Sequence, residues 1–310
     1  MIYEPSTMNS ISKHILLTGG TGLVGRRLTE QLLQKGYEVS HLSRSAGKDP
    51  RIITYLWDVE KERIDQHCVD NVDIIVHLAG AGIADKRWSD QRKKELTYSR
   101  TKSIELIYDL LRTKNHKVKA VISASAIGYY SDRGDEHLTE LSPPSNDFMA
   151  ECCIAWENTV DAGKEFNLRI VKFRTGVVLD NGGALQKLAI PVKFFVGSPL
   201  GSGRQWVPWI QWKDVIDMYQ YAIENESLKG VFNMVAPNPV TNEQLTRAVA
   251  RQLKRPLWLP AVPSSILKLL LGEMSIIVLG STKVSPKKIE NAGFRFRYPD
   301  LESALKEIYG

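Results

Sequence analysis

Three glycines, Gly19, Gly22 and Gly25, recur at a spacing of three inside residues 15–28. A short apolar run leads into them, and an amphipathic stretch with Leu28, Leu32 and Leu33 on one face leads away. This pattern reads as strand, tight loop and helix, and its chemistry is the binding of a pyrophosphate. The first glycine lets the chain turn off the strand, the second clears a Cβ where the backbone meets the phosphates, and the third lets the helix pack on the sheet. Unpaired N–H groups at the helix start then face the anion. The expected dinucleotide site is Gly19, Thr21, Gly22, Leu23, Val24 and Gly25.

A second strand should end at His41-Leu42-Ser43-Arg44-Ser45. Folds of this kind that bind NAD carry an acid about twenty residues after the glycines, to hold the ribose 2′-hydroxyl. Here Ser43 and Arg44 stand in that segment. A guanidinium suits a 2′-phosphate, which favours NADP; the alternative is a surface arginine without a ligand. Asp58, after the third strand, either accepts from the adenine amino group or forms a turn. Leu78, Ala79 and Gly80 follow the fourth strand, where small residues let the backbone lie along the cofactor ribose. His77, just before them, reads as a packed core histidine. Ser125, Tyr129 and Tyr130 leave the fifth strand at its carboxyl end, where doubly wound enzymes place reacting groups. A serine hydroxyl can hydrogen-bond a substrate oxygen and a tyrosine can pass a proton, or the segment is an ordinary loop with an aromatic plug.

These residues need a scaffold, and composition bounds it. The chain has 310 residues, 43% of them apolar, enough to bury a full core in one large or two moderate domains. A net charge of +6 suits a protein holding a phosphorylated ligand, and the absence of a concentrated basic stripe argues against nucleic acid. Cys68, Cys152 and Cys153 are odd in number and irregular in spacing, which argues against a disulfide framework and a metal site and for a reducing cytoplasm. Residues 1–12 are polar, unlike a signal peptide, and read as a loose tail in which Met8 is an alternative start. The most apolar stretch, 266–271 with 276–279, is broken by Gly272-Glu273 and too short to span a bilayer. It reads as a packed C-terminal helix or a partner surface, and no membrane partner is expected.

Strands are expected near 14–18, 37–42, 52–56, 73–77, 118–123 and 168–174, with helices near 23–35, 89–113 and 147–166. Runs such as Ile74-Ile75-Val76 and Ala120-Val121-Ile122 suit a parallel sheet covered on both faces. The fold class is therefore α/β: a Rossmann-like doubly wound parallel sheet over 14–180, with its ligand at the carboxyl ends of the strands. After Val178 the periodicity weakens. A helix at 214–224, a strand at 230–234 and helices at 241–252, 264–271 and 300–308 suggest a smaller α/β substrate-covering subdomain over 181–310 that crosses back to the sheet.

Taken together, residues 18–25, 123–130, 148–157, 174–185 and 201–214, with Ala236-Pro237-Asn238-Pro239-Val240-Thr241 and Phe294-Arg295-Phe296-Arg297-Tyr298-Pro299-Asp300-Leu301, resemble one family. The chain is similar to an atypical extended short-chain dehydrogenase/reductase of the nucleoside-diphosphate-sugar epimerase family, in the sulA-like branch with its own C-terminal region. The resemblance covers nearly all of 14–310. It implies a Rossmann domain, NADP, and oxidoreductase or epimerase chemistry on a carbonyl or alcohol of a small molecule, with a sugar nucleotide as the substrate class. Ser125 matches the family's catalytic serine and Tyr129 the tyrosine that follows it.

One departure stands out. The usual Tyr-x-x-x-Lys pair falls on Met149 and Cys153, which can neither relay a proton nor supply a positive charge in the usual way. Tyr129 or Tyr130, with Arg174 near, could take over the proton; a Cys153 thiol is the weaker replacement. Glu151 and Glu157 read as surface or pairing carboxylates. Arg174, Arg204, Gln205 and Trp206 are expected on the substrate, an arginine for a diphosphate and an indole for stacking, while Trp209 and Trp212 either stack or plug a seam. Asp214 reads as a helix N-cap. The lost pair keeps a second reading open: a catalytically silent NADP-binding regulatory protein. A monomer and a homodimer paired through 89–113 and 147–166 both fit the sequence.

Overall fold

A computed structural model describes residues 13–310; the expectations for the first twelve residues lie outside it. The first half alternates strand and helix: β1 His14–Thr18, α1 Leu23–Gln34, β2 Glu38–Ser43, β3 Ile53–Asp58, β4 Arg63–Ile64, β5 Ile74–His77, α2 Asp90–Thr113, β6 Ala120–Ala126, β7 His137–Leu138, α3 Phe148–Asp161 and β8 Arg169–Thr175. The remainder runs β9 Val177–Leu179, α4 Gly183–Lys193, β10 Trp206–Val207, β11 Trp209–Gln211, α5 Trp212–Glu224, β12 Gly230–Met234, β13 Val240–Thr241, α6 Asn242–Gln252, α7 Ser264–Leu271, α8 Ile276–Leu279, β14 Lys283–Val284, α9 Lys287–Asn291 and α10 Leu301–Tyr309. The central sheet has the order β12-β8-β6-β5-β1-β2-β3-β4, parallel except for the short β4 at its edge. The order of strand addition reverses at β1, with β2 and β3 on one side and β5 and β6 on the other, so the ligand crevice opens above the carboxyl ends of β1 and β5.

The strands alternate as a sheet covered on both faces requires. Ile15 and Leu17 of β1 join Leu28 and Leu32 of α1 and Val215, Tyr219 and Ile223 of α5 on one side. Leu16 joins Ile104 and Ile107 of α2 and Trp156 and Val160 of α3 on the other. A third core, around Trp209, Leu245, Val249 and Leu305, holds α4, α6 and α10 together. Residues 209–234 bring α5 and β12 back onto the main sheet. Among the described residues no helix is long and apolar enough to cross a membrane.

Three elements differ from the sequence expectation. The helix expected over 147–166 stops at Asp161 and tightens into a 3-10 turn that ends at Asn167, with φ of 56°. α4, containing Pro191, was invisible to the periodicity. The helix expected from Asp214 begins at Trp212, and Gln211 is its N-cap. Asp214 is instead buried and accepts from the backbone N–H groups of Arg297 and Tyr298 at 2.7 and 3.0 Å, tying down the C-terminal segment. Burial raises its pKa, opposed by those two bonds.

Candidate functional site

The glycine loop leaves β1 with Gly19 at φ of 69°, and a Cβ there would sit 2.9 Å from the Leu78 carbonyl. At Gly25 a Cβ would meet the Gly19 oxygen at 2.3 Å and the Gly20 Cα at 2.7 Å. Only glycine fits either position, so helix and loop are held in contact. Gly22 caps α1 without a side chain, and no acid occupies the first turn, so its amides are open to an anion. Thr18, buried at the end of β1, accepts from the amides of Leu78 and Ala79, both at 3.0 Å, and joins the two strand ends that flank the crevice. Gly80 lies along the Arg100 side chain, whose guanidinium donates to the carbonyls of Leu96 and Ala81. This cradle fits a dinucleotide.

Ser43 ends β2, and Arg44 beyond it is exposed and makes no ion pair with a described residue. Sequence reasoning missed His41. Its ring lies under Gly20, where a Cβ would come within 2.4 Å of it, and is held by Thr29 at 2.8 Å. Asp58 is engaged in a turn: it accepts from the Lys61 amide at 3.1 Å and pairs with the Lys61 ammonium at 3.5 Å. The Lys61 amide lowers its pKa. His77 is a core residue between Ser103 and Ser123, its pKa held down to about 3 by burial and by the Arg100 charge.

At the carboxyl end of β6 the structure assembles a buried polar cluster. Ser125 is the register partner of Arg174 on β8, and Arg174 that of Asn233 on β12. Glu157, from α3, accepts from Ser125 Oγ at 2.7 Å and from Arg174 Nε and a terminal nitrogen at 2.8 and 2.9 Å. Lys172 stands 3.7 Å from Glu157 and 2.9 Å from Asp161. Burial alone would lower the Arg174 pKa, but the hydrogen bonds and charge of Glu157 outweigh it and hold it raised. Tyr129 is half-buried, with the Arg174 guanidinium carbon 3.3 Å from its ring centroid.

The cluster corrects several expectations. Of the two readings of Glu157, surface or pairing carboxylate, the structure shows the pairing one, buried and at the hub of the cluster. Tyr130 is fully buried, donates to Asn233 at 2.8 Å and accepts from Arg174 at 2.9 Å, and burial pushes its pKa up to about 12, so its hydroxyl is engaged inside the cluster. Arg174 is 3% exposed, with each of its three nitrogens bonded to Glu157 or Tyr130; it is held inside the cluster and supports the site from beneath. Ser125 commits its single proton to Glu157 and so offers an incoming group lone pairs, not a donor. The missed signal was Lys172-Phe173-Arg174 in an apolar strand: two cations at period two share one buried face and require a carboxylate there.

On the far flank, Arg204 is exposed on a turn between Gly203, φ 71°, and β10. Gln205 is buried and donates to the carbonyls of Leu200 and Val278, a fastening between segments and not a ligand contact. The Trp206 indole donates to Asp135 at 2.6 Å and carries Lys283 on its face at 4.2 Å. Trp209 is buried in the third core, and Trp212 lies under Arg27, 4.0 Å away, which pairs with Asp180. Both tryptophans are seam plugs.

Residues 15–234 match the NAD dependent epimerase/dehydratase family, and 262–308 match a domain of unknown function, DUF1731. The chain belongs to the NAD dependent epimerase/dehydratase family. It is 36% identical over 297 residues to the epimerase family protein YfhF of Bacillus subtilis, covering 95% of this chain and 97% of that one. Among solved structures it resembles the human epimerase family protein SDR39U1 crystallised with NADPH, at 30% identity and TM-score 0.84, covering 96% of this chain and 99% of that one. It also resembles a nucleoside-diphosphate sugar epimerase from Corynebacterium glutamicum, at 33% identity and TM-score 0.79, covering 96% of this chain and 58% of that one. The Rossmann-like fold and a place for an NAD(P)-type dinucleotide follow from the family.

In this family member, Met149 and Cys153 lie on α3 facing the Ser125–Tyr129 loop. A Cβ on Gly128 would meet the Met149 methyl at 2.7 Å and the Cys153 sulfur at 3.7 Å. Cys153 points at the Ala126 carbonyl, 3.6 Å away, and burial pushes its thiol up to about 12. At neutral pH it is a protonated packing residue.

Proposed function

We propose that the protein binds NADP and acts on a carbonyl or alcohol of a small molecule, with a sugar nucleotide as the substrate class. Tyr129 over the Glu157–Arg174 pair is the observation that carries the reading. The acid-free start of α1 and the exposed Arg44 beyond β2 support the pyrophosphate and 2′-phosphate ends of the cofactor site. The human relative crystallised with NADPH supports the same choice. When bound, NADP supplies a hydride acceptor or donor.

The chain's own residues do the rest. Ser125, with its proton on Glu157, accepts from a substrate hydroxyl and orients it. Tyr129 is the proton donor or acceptor at the substrate oxygen. The Arg174 cation against its ring favours negative charge developing on the phenol oxygen, and Glu157 holds that cation in place. Arg204, exposed on its turn, is the remaining candidate for a substrate phosphate. Asp58 keeps an adenine role only through whatever capacity its turn leaves free.

A silent NADP-binding protein is the second reading, favoured by Met149 and by the protonated Cys153 at the positions of the usual pair. Two measurements separate the readings. Titration with NADPH and NADH should show Arg44→Ala weakening NADPH by about 1.5–3 kcal/mol with NADH nearly unchanged. NADPH consumption should then be followed against carbonyl substrates, nucleotide sugars included. Turnover that falls about a hundredfold in Tyr129→Phe supports the enzyme. Tight NADPH binding with no consumption by any of them supports the silent protein.

A further inference from the structure

Exposed large apolar side chains in the C-terminal part of the chain lie on two segments, 194–196 with Trp258 and α7, joined through one backbone hydrogen bond. Phe194 is 74% exposed and Trp258 67%, with Phe195 and Val196 between them. The Trp258 indole donates to the Phe195 carbonyl at 2.9 Å, and the Arg255 guanidinium lies 4.7 Å from the Phe195 ring. The Val262 amide donates to the Pro199 carbonyl at 2.8 Å, and α7 begins two residues later. α7 buries only Leu267; Leu269 is 77% exposed and Leu270 stands out beside it. Apolar surface of this kind marks an interaction site.

Its charge is one-sided. No Asp or Glu occurs within residues 181–213 or 244–272, and the acids that reach these stretches from outside, Glu243, Glu302 and Glu307, are held by Arg247, Arg251 and Lys213. Lys193, Lys254, Arg255 and Lys268 are exposed within it and make no ion pair with a described residue. A second copy docked about a two-fold axis would set these cations against themselves. An anionic lipid headgroup layer instead accepts the cations while its acyl boundary takes the aromatic and leucine side chains. We propose that this face, formed by residues 193–196, 254–258 and α7, docks the protein on the surface of an anionic bilayer. The sequence expectation of no membrane partner rested on span length, and lying on a surface needs only one apolar face rimmed by cations.

The test is sedimentation of the full chain with phosphatidylcholine vesicles, with and without about one third phosphatidylserine. Binding is expected to the anionic vesicles and to fall with salt. Each of Lys254→Gln and Lys268→Gln should weaken it about fivefold, and Phe194→Ser with Leu269→Ser should remove it, while unchanged circular dichroism and NADPH titration show that the variants still fold. Three results would overturn the proposal: no sedimentation with anionic vesicles at low salt, sedimentation indifferent to both sets of substitutions, or light scattering that shows a dimer which Phe194→Ser dissociates, since a second copy then covers the face.

Discussion

Glu157→Gln tests the cluster at the end of β6 most directly. In the folded protein the Glu157 carboxylate neutralises Arg174 through two hydrogen bonds, accepts from Ser125, and lies 3.7 Å from Lys172. Lys172 keeps Asp161 at 2.9 Å when Glu157 is neutralised, but Arg174 keeps only the Tyr130 hydroxyl and the face of Tyr129. One buried cation is therefore left unpaired and a second is half-compensated. Removing one partner of a buried pair costs about 3–5 kcal/mol. The surviving amide oxygen can still accept from one donor, which sets the expectation at about 3 kcal/mol, the lower end of that range. Equilibrium urea unfolding followed by circular dichroism measures it, with an unchanged slope against denaturant as the sign that the native state is intact. The double variant Glu157→Gln with Arg174→Met removes both charges and should cost less than the sum of the single variants by about 1–3 kcal/mol. A cost below about 1 kcal/mol for Glu157→Gln, or simple additivity in the cycle, would refute the hub.

Gly25→Ala places a Cβ 2.3 Å from the Gly19 oxygen, and backbone cannot give way as a flexible side chain would. It should destabilise by about 1–3 kcal/mol and abolish nucleotide binding, read by the same titration as Arg44→Ala. His77 makes stability depend on pH in a direction the burial dictates. Its folded pKa, about 3, lies below the ordinary 6.5, so between those values the unfolded chain takes up a proton that the folded one refuses. The contribution is complete above pH 6.5 and is lost as pH falls toward 3, at up to about 1.4 kcal/mol per pH unit. His77→Gln should flatten that slope in urea titrations run across the window, and an unchanged slope would remove His77 as its source.

The local chemistry of the cofactor half was written in consecutive residues. Gly19, Gly22 and Gly25 act through backbone space within one strand–loop–helix unit, and apolar runs such as Ile74-Ile75-Val76 declare a sheet buried on both faces wherever the chain later goes. The family resemblance was legible for the same reason, since it rests on contiguous motifs. The buried polar cluster was not, because it depends on distant residues meeting. Tyr130 and Tyr129 are neighbours in sequence, yet the turn after β6 sends one to Asn233 in the interior and leaves the other over Arg174. Glu157 carried the ordinary helical pattern of a pairing residue until α3 laid it against two cations on β8. Gln205, Trp209 and Asp214 had polar or stacking chemistry suited to a ligand or a cap, and each was turned inward by a partner that lies 29 to 83 residues away. Periodicity states which side of an element is buried; only the packed sheet decides which buried polar groups find each other, because a desolvated charge must be matched by whatever the tertiary fold brings within about 3 Å.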